Sequence, residues 1–415
     1  MNVKQLLQTA AIYSISSFLT PIASFLLLPY LTAYLTPAEY GTLTTVQSLI
    51  GLGQFILLLS LHGAITRYYY DFEEGSARQK KYLGTILVFV SAFSTVVISI
   101  GLLLKPWIGG MLFKSIPLDP FFYYLCALSF LTALLSLCLA VLRVKEQSWR
   151  FFLLYVIRSV FVFVGTILFL NVLGFGPDGP LLASVIAEGA ALLIGLLMIR
   201  KSVLLSWSTQ ALKKSLFYSL PLLPYALSSW VISVSDRVIL EKFVSLEKVG
   251  IYALAAQVAL VLRMVFMSIN AAYLPRYISL MKQTQQKNVL KINRLFLITI
   301  VLFSGVALLS FKHLIGWIAS PSYLEAAAFV YVLIIAECLV GINYVVSAKF
   351  LYYERTGLLS ITSIAAALLN ILLNFFLIPF IGIWGALWST LAAEFTRVGL
   401  TYFLNLRQTG KGLKA

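Results

Sequence analysis

Apolar positions along this chain come in runs of roughly 20 residues, the length a helix needs to cross a bilayer, and lack the strict alternation of barrel strands. Twelve runs can be read: 11–35, 43–66, 83–104, 122–142, 152–173, 181–199, 216–240, 249–273, 292–312, 326–348, 358–378 and 384–404. The pattern predicts an all-α membrane protein of twelve transmembrane helices, because a helix satisfies its own backbone polar groups in lipid. The first run is too long for the apolar core of a signal peptide, so it is expected to stay as a span. Loops are short. The longest external one, 105–121, carries only Lys105, Lys114 and Asp119 as charges.

A repeat organises the runs. Gly176-Pro-Asp-Gly179-Pro-Leu-Leu-Ala-Ser-Val-Ile-Ala187-Glu188 returns 206 residues later as Gly382-Ile-Trp-Gly385-Ala-Leu-Trp-Ser-Thr-Leu-Ala-Ala393-Glu394. Leu35-Thr36-Pro-Ala-Glu39-Tyr-Gly41 is echoed by Val244-Ser245-Leu-Glu247-Lys-Val-Gly250 at an offset of 209. Two domains follow, 1–205 and 206–415, each a six-helix bundle. With six spans apiece the halves are parallel repeats, related by an axis along the membrane normal, and a site is expected between them. Pro21 and Pro29 in the first run, and Pro221 and Pro224 in the seventh, predict bent or broken helices.

Composition agrees with the runs: 60% of residues are hydrophobic and 11% charged, with mean hydropathy +0.95. A net charge of +16 would suit a nucleic-acid binder, but its placement excludes that reading. With the N-terminus cytoplasmic, 22 Lys and Arg fall in cytoplasmic segments, 5 in external loops and 4 inside spans, Arg294 and Lys312 being counted with their adjoining loops. That bias sets both termini inside the cell. Cys126, Cys138 and Cys338 lie within runs and imply no disulfide framework. No metal-ligand spacing, phosphate-binding glycine loop or nucleophile constellation is present, so neither a cofactor nor catalysis is expected.

The charges inside the runs carry the candidate chemistry, since an ionised group there is costly and functional by default. Arg263 is near the middle of the eighth run, with Met267 and Asn270 on the same face. A buried arginine needs an anion, either a substrate phosphate or the carboxylate of Glu337 or Glu394. Glu394 and Arg397 can pair along one helix. Glu337 has no local partner, and it is either Arg263's counter-ion or a carboxylate for a coupling H+ or Na+. Glu188, Glu394 and Asp236 are further coupling candidates, and Arg237 beside Asp236 needs a partner of its own. Arg158 can snorkel or receive a lipid headgroup. Asn370 and Asn374 share a face suited to holding helices together.

Three segments resemble a known family. Leu28-Pro29-Tyr30-Leu31-Thr32 through Pro37-Ala38-Glu39-Tyr40-Gly41, then Ile65-Thr66-Arg67-Tyr68-Tyr69-Tyr70-Asp71, then Ser235-Asp236-Arg237 through Gly250-Ile251-Tyr252-Ala253 are similar to signatures of the Wzx-type polysaccharide lipid flippases. The resemblance implies the fold of the multidrug/oligosaccharidyl-lipid/polysaccharide superfamily, two six-helix bundles in a MATE-like V. It implies a carrier in the bacterial inner membrane for an undecaprenyl-pyrophosphate-linked oligosaccharide, with a polysaccharide polymerase or ligase as possible partners; because one chain holds both halves, a monomer is expected. Arg263, Asn270, Arg158 and Arg397 would then face the substrate.

Two other readings stand beside it. A cation-coupled multidrug or metabolite antiporter of the same superfamily would present aromatics and carboxylates to a soluble substrate. A membrane enzyme of polyprenyl-linked glycan assembly would need external acidic groups, and Asp119, Asp178 and Glu325 stand alone.

Overall fold

The computed structural model describes residues 3–410. Among the described residues all regular elements are helical. In the first half they are α1 (Val3–Leu26), α2 (Leu28–Tyr34), α3 (Pro37–Leu58), α4 (Leu61–Tyr68), α5 (Ala77–Leu103), α6 (Lys105–Leu112), α7 (Phe121–Val144), α8 (Ser148–Ile167) and α9 (Asp178–Ile199). In the second half they are α10 (Thr209–Ser219), α11 (Leu223–Phe243), α12 (Leu246–Lys282), α13 (Gln286–Ile318), α14 (Ala326–Tyr352), α15 (Thr356–Ile381) and α16 (Ile383–Gly410).

Among the described residues, eleven segments are long and apolar enough to cross a membrane. The twelfth expected span is α16, a helix of 28 residues. Glu394 and Arg397 lower its mean hydropathy and leave it outside that set. The apolar surface faces outward, as lipid requires: Trp317, Phe217 and Leu103 are more than four-fifths exposed. Lys411 and Lys414, part of the cytoplasmic charge tally, lie outside the described residues.

Proline interrupts the first and seventh spans in different ways. Pro21 remains inside α1, while Pro29 falls in the first turn of α2, just past the break at Leu27. In the seventh span Pro221 sits in a 3-10 turn, Leu220–Leu222, that separates α10 from α11. Proline is tolerated at these starts because the amide it lacks would have no partner there.

The chain packs as two units. The first comprises residues up to Leu35 and Thr42–Leu227. Its core runs through Leu61, Ile65, Ile86, Cys138, Leu142 and Phe151. The second comprises Thr36–Gly41 and the chain from Ser228 onward. Ile232, Ala366, Ala367 and Ala393 form a tight core where α11, α15 and α16 approach, and small side chains let the helix backbones draw close.

Within the second unit the two echoed segments meet. Thr36 and Glu39 form a capping box at the start of α3: the Thr36 amide donates to Glu39 Oε2 at 2.8 Å, and the Glu39 amide donates to Thr36 Oγ1 at 3.3 Å. At the matching position Ser245 Oγ accepts from the Lys248 amide at 3.4 Å. The glycines five residues past each cap then face each other. A Cβ on Gly41 would lie 2.1 Å from the Leu246 carbonyl oxygen, and one on Gly250 would lie 1.9 Å from that of Pro37.

Candidate functional site

Among the described residues, the ionisable groups inside spans include three arginine–carboxylate pairs and one aspartate network. The first unit holds one pair. Arg158 on α8 meets Glu188 on α9, the carboxylate buried and the guanidinium side chain 28% exposed. The helical spans that carry them run Ser148–Val172 and Asp178–Ser202, so Arg158 and Glu188 each lie at least ten residues from either end. Arg158 is therefore ion-paired, and Glu188 supplies the anion that the sequence left unassigned.

The second unit gathers four charges. Arg263 on α12 grips Glu337 on α14 with both prongs of its fork: Nε donates to Oε2 and Nη2 to Oε1, each at 2.7 Å. Its third nitrogen, Nη1, donates to Ser233 Oγ on α11 at 2.9 Å. Glu394 and Arg397 pair along α16 at 2.5 Å. The helices that carry the two pairs, α12, α14 and α16, pack against one another, and together the pairs are of zero net charge. Asn270, seven residues beyond Arg263, is half-buried on α12.

In all three pairs the carboxylate is buried deeper than its arginine. Side-chain exposures are 3% for Glu188 against 28% for Arg158, 7% for Glu337 against 20% for Arg263, and 2% for Glu394 against 14% for Arg397. The bidentate, charge-assisted Arg263–Glu337 pair holds its guanidinium at a fixed angle. In each of the three pairs the arginine is the more accessible partner.

Asp236 stands apart. It is 2% exposed, and its carboxylate accepts three hydrogen bonds: from Tyr252 Oη at 2.6 Å, Thr390 Oγ1 at 2.8 Å and Asn374 Nδ2 at 2.7 Å. Asn374 Nδ2 also reaches Asn370 Oδ1 at 3.1 Å. Asn374 thus ties α15 to α11 through an aspartate, while Asn370 bonds Asn374 on its own helix. Asp236 and Tyr252 each lie eight residues from Val244, and Asn374 and Thr390 each lie eight residues from Gly382. Equal distances from two turns at one end put all four at one depth, about 12 Å in. Asn374 Oδ1 and Asn370 Nδ2 are buried without a hydrogen-bond partner.

Several of these contacts escape a reading of single helices. Tyr252, Thr390 and Ser233 carry no charge, and only their partners give them meaning. The signal that could have found Tyr252 and Thr390 is the equal spacing from a shared turn. Arg237 is buried next to Asp236 with its Nε unpartnered. Among the described residues no group of three His, Cys, Asp or Glu could hold a metal ion.

Known proteins share both sequence and fold with this chain. Residues 6–281 match the profile of a family described as "Polysaccharide biosynthesis protein". Lsg locus putative protein 1 of Haemophilus influenzae is 24% identical over 375 residues, covering 87% of this chain and 88% of its own. An uncharacterized membrane protein of the same organism is also 24% identical, covering 88% of each. Among solved structures, the lipid II flippase MurJ in an inward closed conformation superposes with a TM-score of 0.77 at 16% identity, over 95% of this chain and 87% of that one. An inward-facing multidrug resistance MATE family transporter of the MOP superfamily reaches 0.75 at 16% identity, over 97% and 100%.

Proposed function

The chain belongs to the polysaccharide biosynthesis protein family, and from that premise we propose that it flips an undecaprenyl-pyrophosphate-linked oligosaccharide from the cytoplasmic to the outer leaflet of a bacterial inner membrane. It is a multi-pass membrane protein whose fold is that of MATE transporters and the MurJ flippase. The observation that carries the proposal is Arg263, whose fork is fixed by Glu337 and Ser233 inside a span while its side chain stays one-fifth exposed.

A diphosphate with several sugars cannot cross hydrocarbon, whereas its polyprenyl tail has no need to leave it. Pre-oriented guanidinium edges offer such a headgroup the bidentate contacts that phosphate favours. Arg263 is the first candidate, and Arg397, Arg158 and the amide of Asn270 are the others. Because each arginine is already neutralised, the contact is one a diphosphate can make and release. The distribution of Lys and Arg supports cytoplasmic termini. A single chain suffices as a monomer, handing its product to a polymerase or ligase.

Asp236 supports ion coupling. A carboxylate ringed by hydroxyl and amide groups suits a proton or a hard cation with oxygen ligands, and the unpartnered Asn374 Oδ1 is a further oxygen for it. Glu188, Glu337 and Glu394 are each committed to an arginine, so coupling through them would first have to break a pair. Ion coupling would equally serve an antiporter of soluble compounds.

The test that separates these readings is leaflet-resolved measurement of polyprenyl-linked oligosaccharide in cells depleted of this protein. Accumulation in the inner leaflet, cured by re-expression, is the expected result. An unchanged distribution in cells with no redundant flippase would remove the proposal in favour of the antiporter.

A further inference from the structure

On the flank of the first unit a cavity of about 800 Å3 runs between α5 and α9, within the size range of small-molecule sites, roughly 300–1,000 Å3. Both helices pack against α7 and leave a gap over it. Leu134 of α7 and Leu196 and Ile199 of α9 line the cavity, and so do Leu87, Ser91 and Thr95, spaced four apart on one face of α5. Ala92 and Thr95 are exposed, so the cavity opens sideways toward lipid.

Its end is built rather than accidental. The segment after α9 lies along α5: the Leu204 amide donates to the Lys80 carbonyl at 3.0 Å, and Thr85 Oγ1 donates to the Ser206 carbonyl at 3.2 Å. Gly84 permits the approach, since a Cβ there would lie 1.8 Å from the Leu204 carbonyl oxygen. Val203 is extended, at φ −122° and ψ 130°. Val203 and Leu205 therefore point the same way, and both line the cavity. Arg200 lines it too. Its side chain is exposed and makes no ion pair or hydrogen bond among the described residues. Lys201 is exposed beside it, and Lys145 Nζ reaches Ser202 Oγ at 2.6 Å. An apolar trough thus ends in uncompensated positive charge where the span ends, at headgroup level.

We propose that this groove seats one acyl chain of an anionic phospholipid, with Arg200 holding its phosphate. Basic pockets between transmembrane helices are known to take anionic headgroups. Charge complementarity selects the anionic lipid over a zwitterionic one, because none of Arg200, Lys201 and Lys145 forms an ion pair among the described residues. The site is separate from the arginine–glutamate pairs and does not depend on the transport proposal. The lipid would hold the 200–208 segment against α5.

Native mass spectrometry of the purified full chain, titrated with phosphatidylglycerol or phosphatidylcholine of the same acyl chains, reads the site directly. The wild type retains phosphatidylglycerol preferentially, by about fivefold for one basic contact near the headgroup. Arg200→Gln loses that preference, Arg200→Lys keeps it, and Ala92→Trp, which fills the groove, loses the bound lipid. Lys291→Gln, an exposed change in the second unit, behaves as wild type. Equal retention of the two lipids by wild type, or an undiminished preference in well-folded Arg200→Gln, would overturn the proposal. Displacement of the bound phosphatidylglycerol by one equivalent of a polyprenyl diphosphate would also overturn it, by assigning the groove to the substrate.

Discussion

Glu188 and Glu394 stand at equivalent places in the repeat, 206 residues apart, yet they take their arginines from different sources. Glu188 pairs with Arg158 across two helices, whereas Glu394 pairs with Arg397 one turn along its own helix. The position Arg397 would match in the first half is Ala191, and the position Arg158 would match in the second is Ile364. The duplication kept the buried acid and let the cation move, as expected if a carboxylate at this depth needs a partner from any direction.

The interhelical pair should be costly to break on one side and cheap to replace whole. Glu188→Ala leaves a guanidinium uncompensated inside a span, and the loss in stability is expected at about 3–5 kcal/mol. Adding Arg158→Met should recover most of it. Thermal unfolding of both variants in one detergent measures the difference, and a double variant no better than the single one would mean the pair is not what Glu188 contributes.

Gly41→Ala and Gly250→Ala each drive a methyl group into a backbone carbonyl. Backbone cannot step aside as a flexible side chain can, so each should destabilise by about 1–3 kcal/mol. Gly110→Ala and Gly189→Ala, where an added Cβ meets nothing within 4 Å, serve as controls and should be nearly silent. The same unfolding assay checks all four.

Eleven of the twelve expected spans were legible because a bilayer demands long apolar runs whatever the fold, and the twelfth, α16, is a long helix outside that apolar set. The Arg263–Glu337 pair was legible only as one of two options, since partners 74 residues apart are chosen by which helices pack, and periodicity along one helix does not say. Arg158 was harder. On its own helix it looks like a snorkelling cation, and only its pairing with Glu188 shows that it stays inside. Asp236 was visible as a charge, but its ring of Tyr252, Asn374 and Thr390 is neutral and mute in a charge count. The repeat itself pointed nearby: Thr390 is four residues before Glu394, on the same helix face.

At the surface, Lys214 Nζ bonds Asp71 Oδ2 at 2.8 Å and Arg67 lies 3.6 Å from Oδ1. The Lys214 hydrogen bond, with lesser help from both charges, holds the Asp71 carboxyl below its usual range. A depressed acid contributes stability that is fully present above the unfolded value, about 3.9, and is lost as pH falls through the lower folded value. Lys214→Gln should therefore lower stability modestly at neutral pH, flatten that part of the acid limb and change nothing in strong acid, where Asp71 is protonated in both proteins. Stability scans between neutral and strongly acidic buffers, compared for both proteins, check it; identical acid limbs would contradict it.

Asp236→Asn should abolish cation dependence while leaving the arginine pairs intact. If a cation binds there, saturating it at a hundredfold excess over its Kd stabilises the wild type by about 2.7 kcal/mol, a shift absent from Asp236→Asn. Thermal unfolding across sodium concentrations and pH values reads this without any transport assay. A shift of equal size in both proteins would place the coupling ion elsewhere.

The most direct measurement is flipping by the purified protein in proteoliposomes, with a labelled polyprenyl-diphosphate oligosaccharide in one leaflet. Wild type should move the label to the opposite leaflet under an imposed ion gradient or potential. Arg263→Ala, reconstituted at equal density together with Glu337→Ala so that no charge is stranded, should lose most of that movement while staying folded. Flipping by the doubly substituted protein at the wild-type rate would contradict the role given to Arg263, and no movement by wild type under any gradient would contradict the account as a whole.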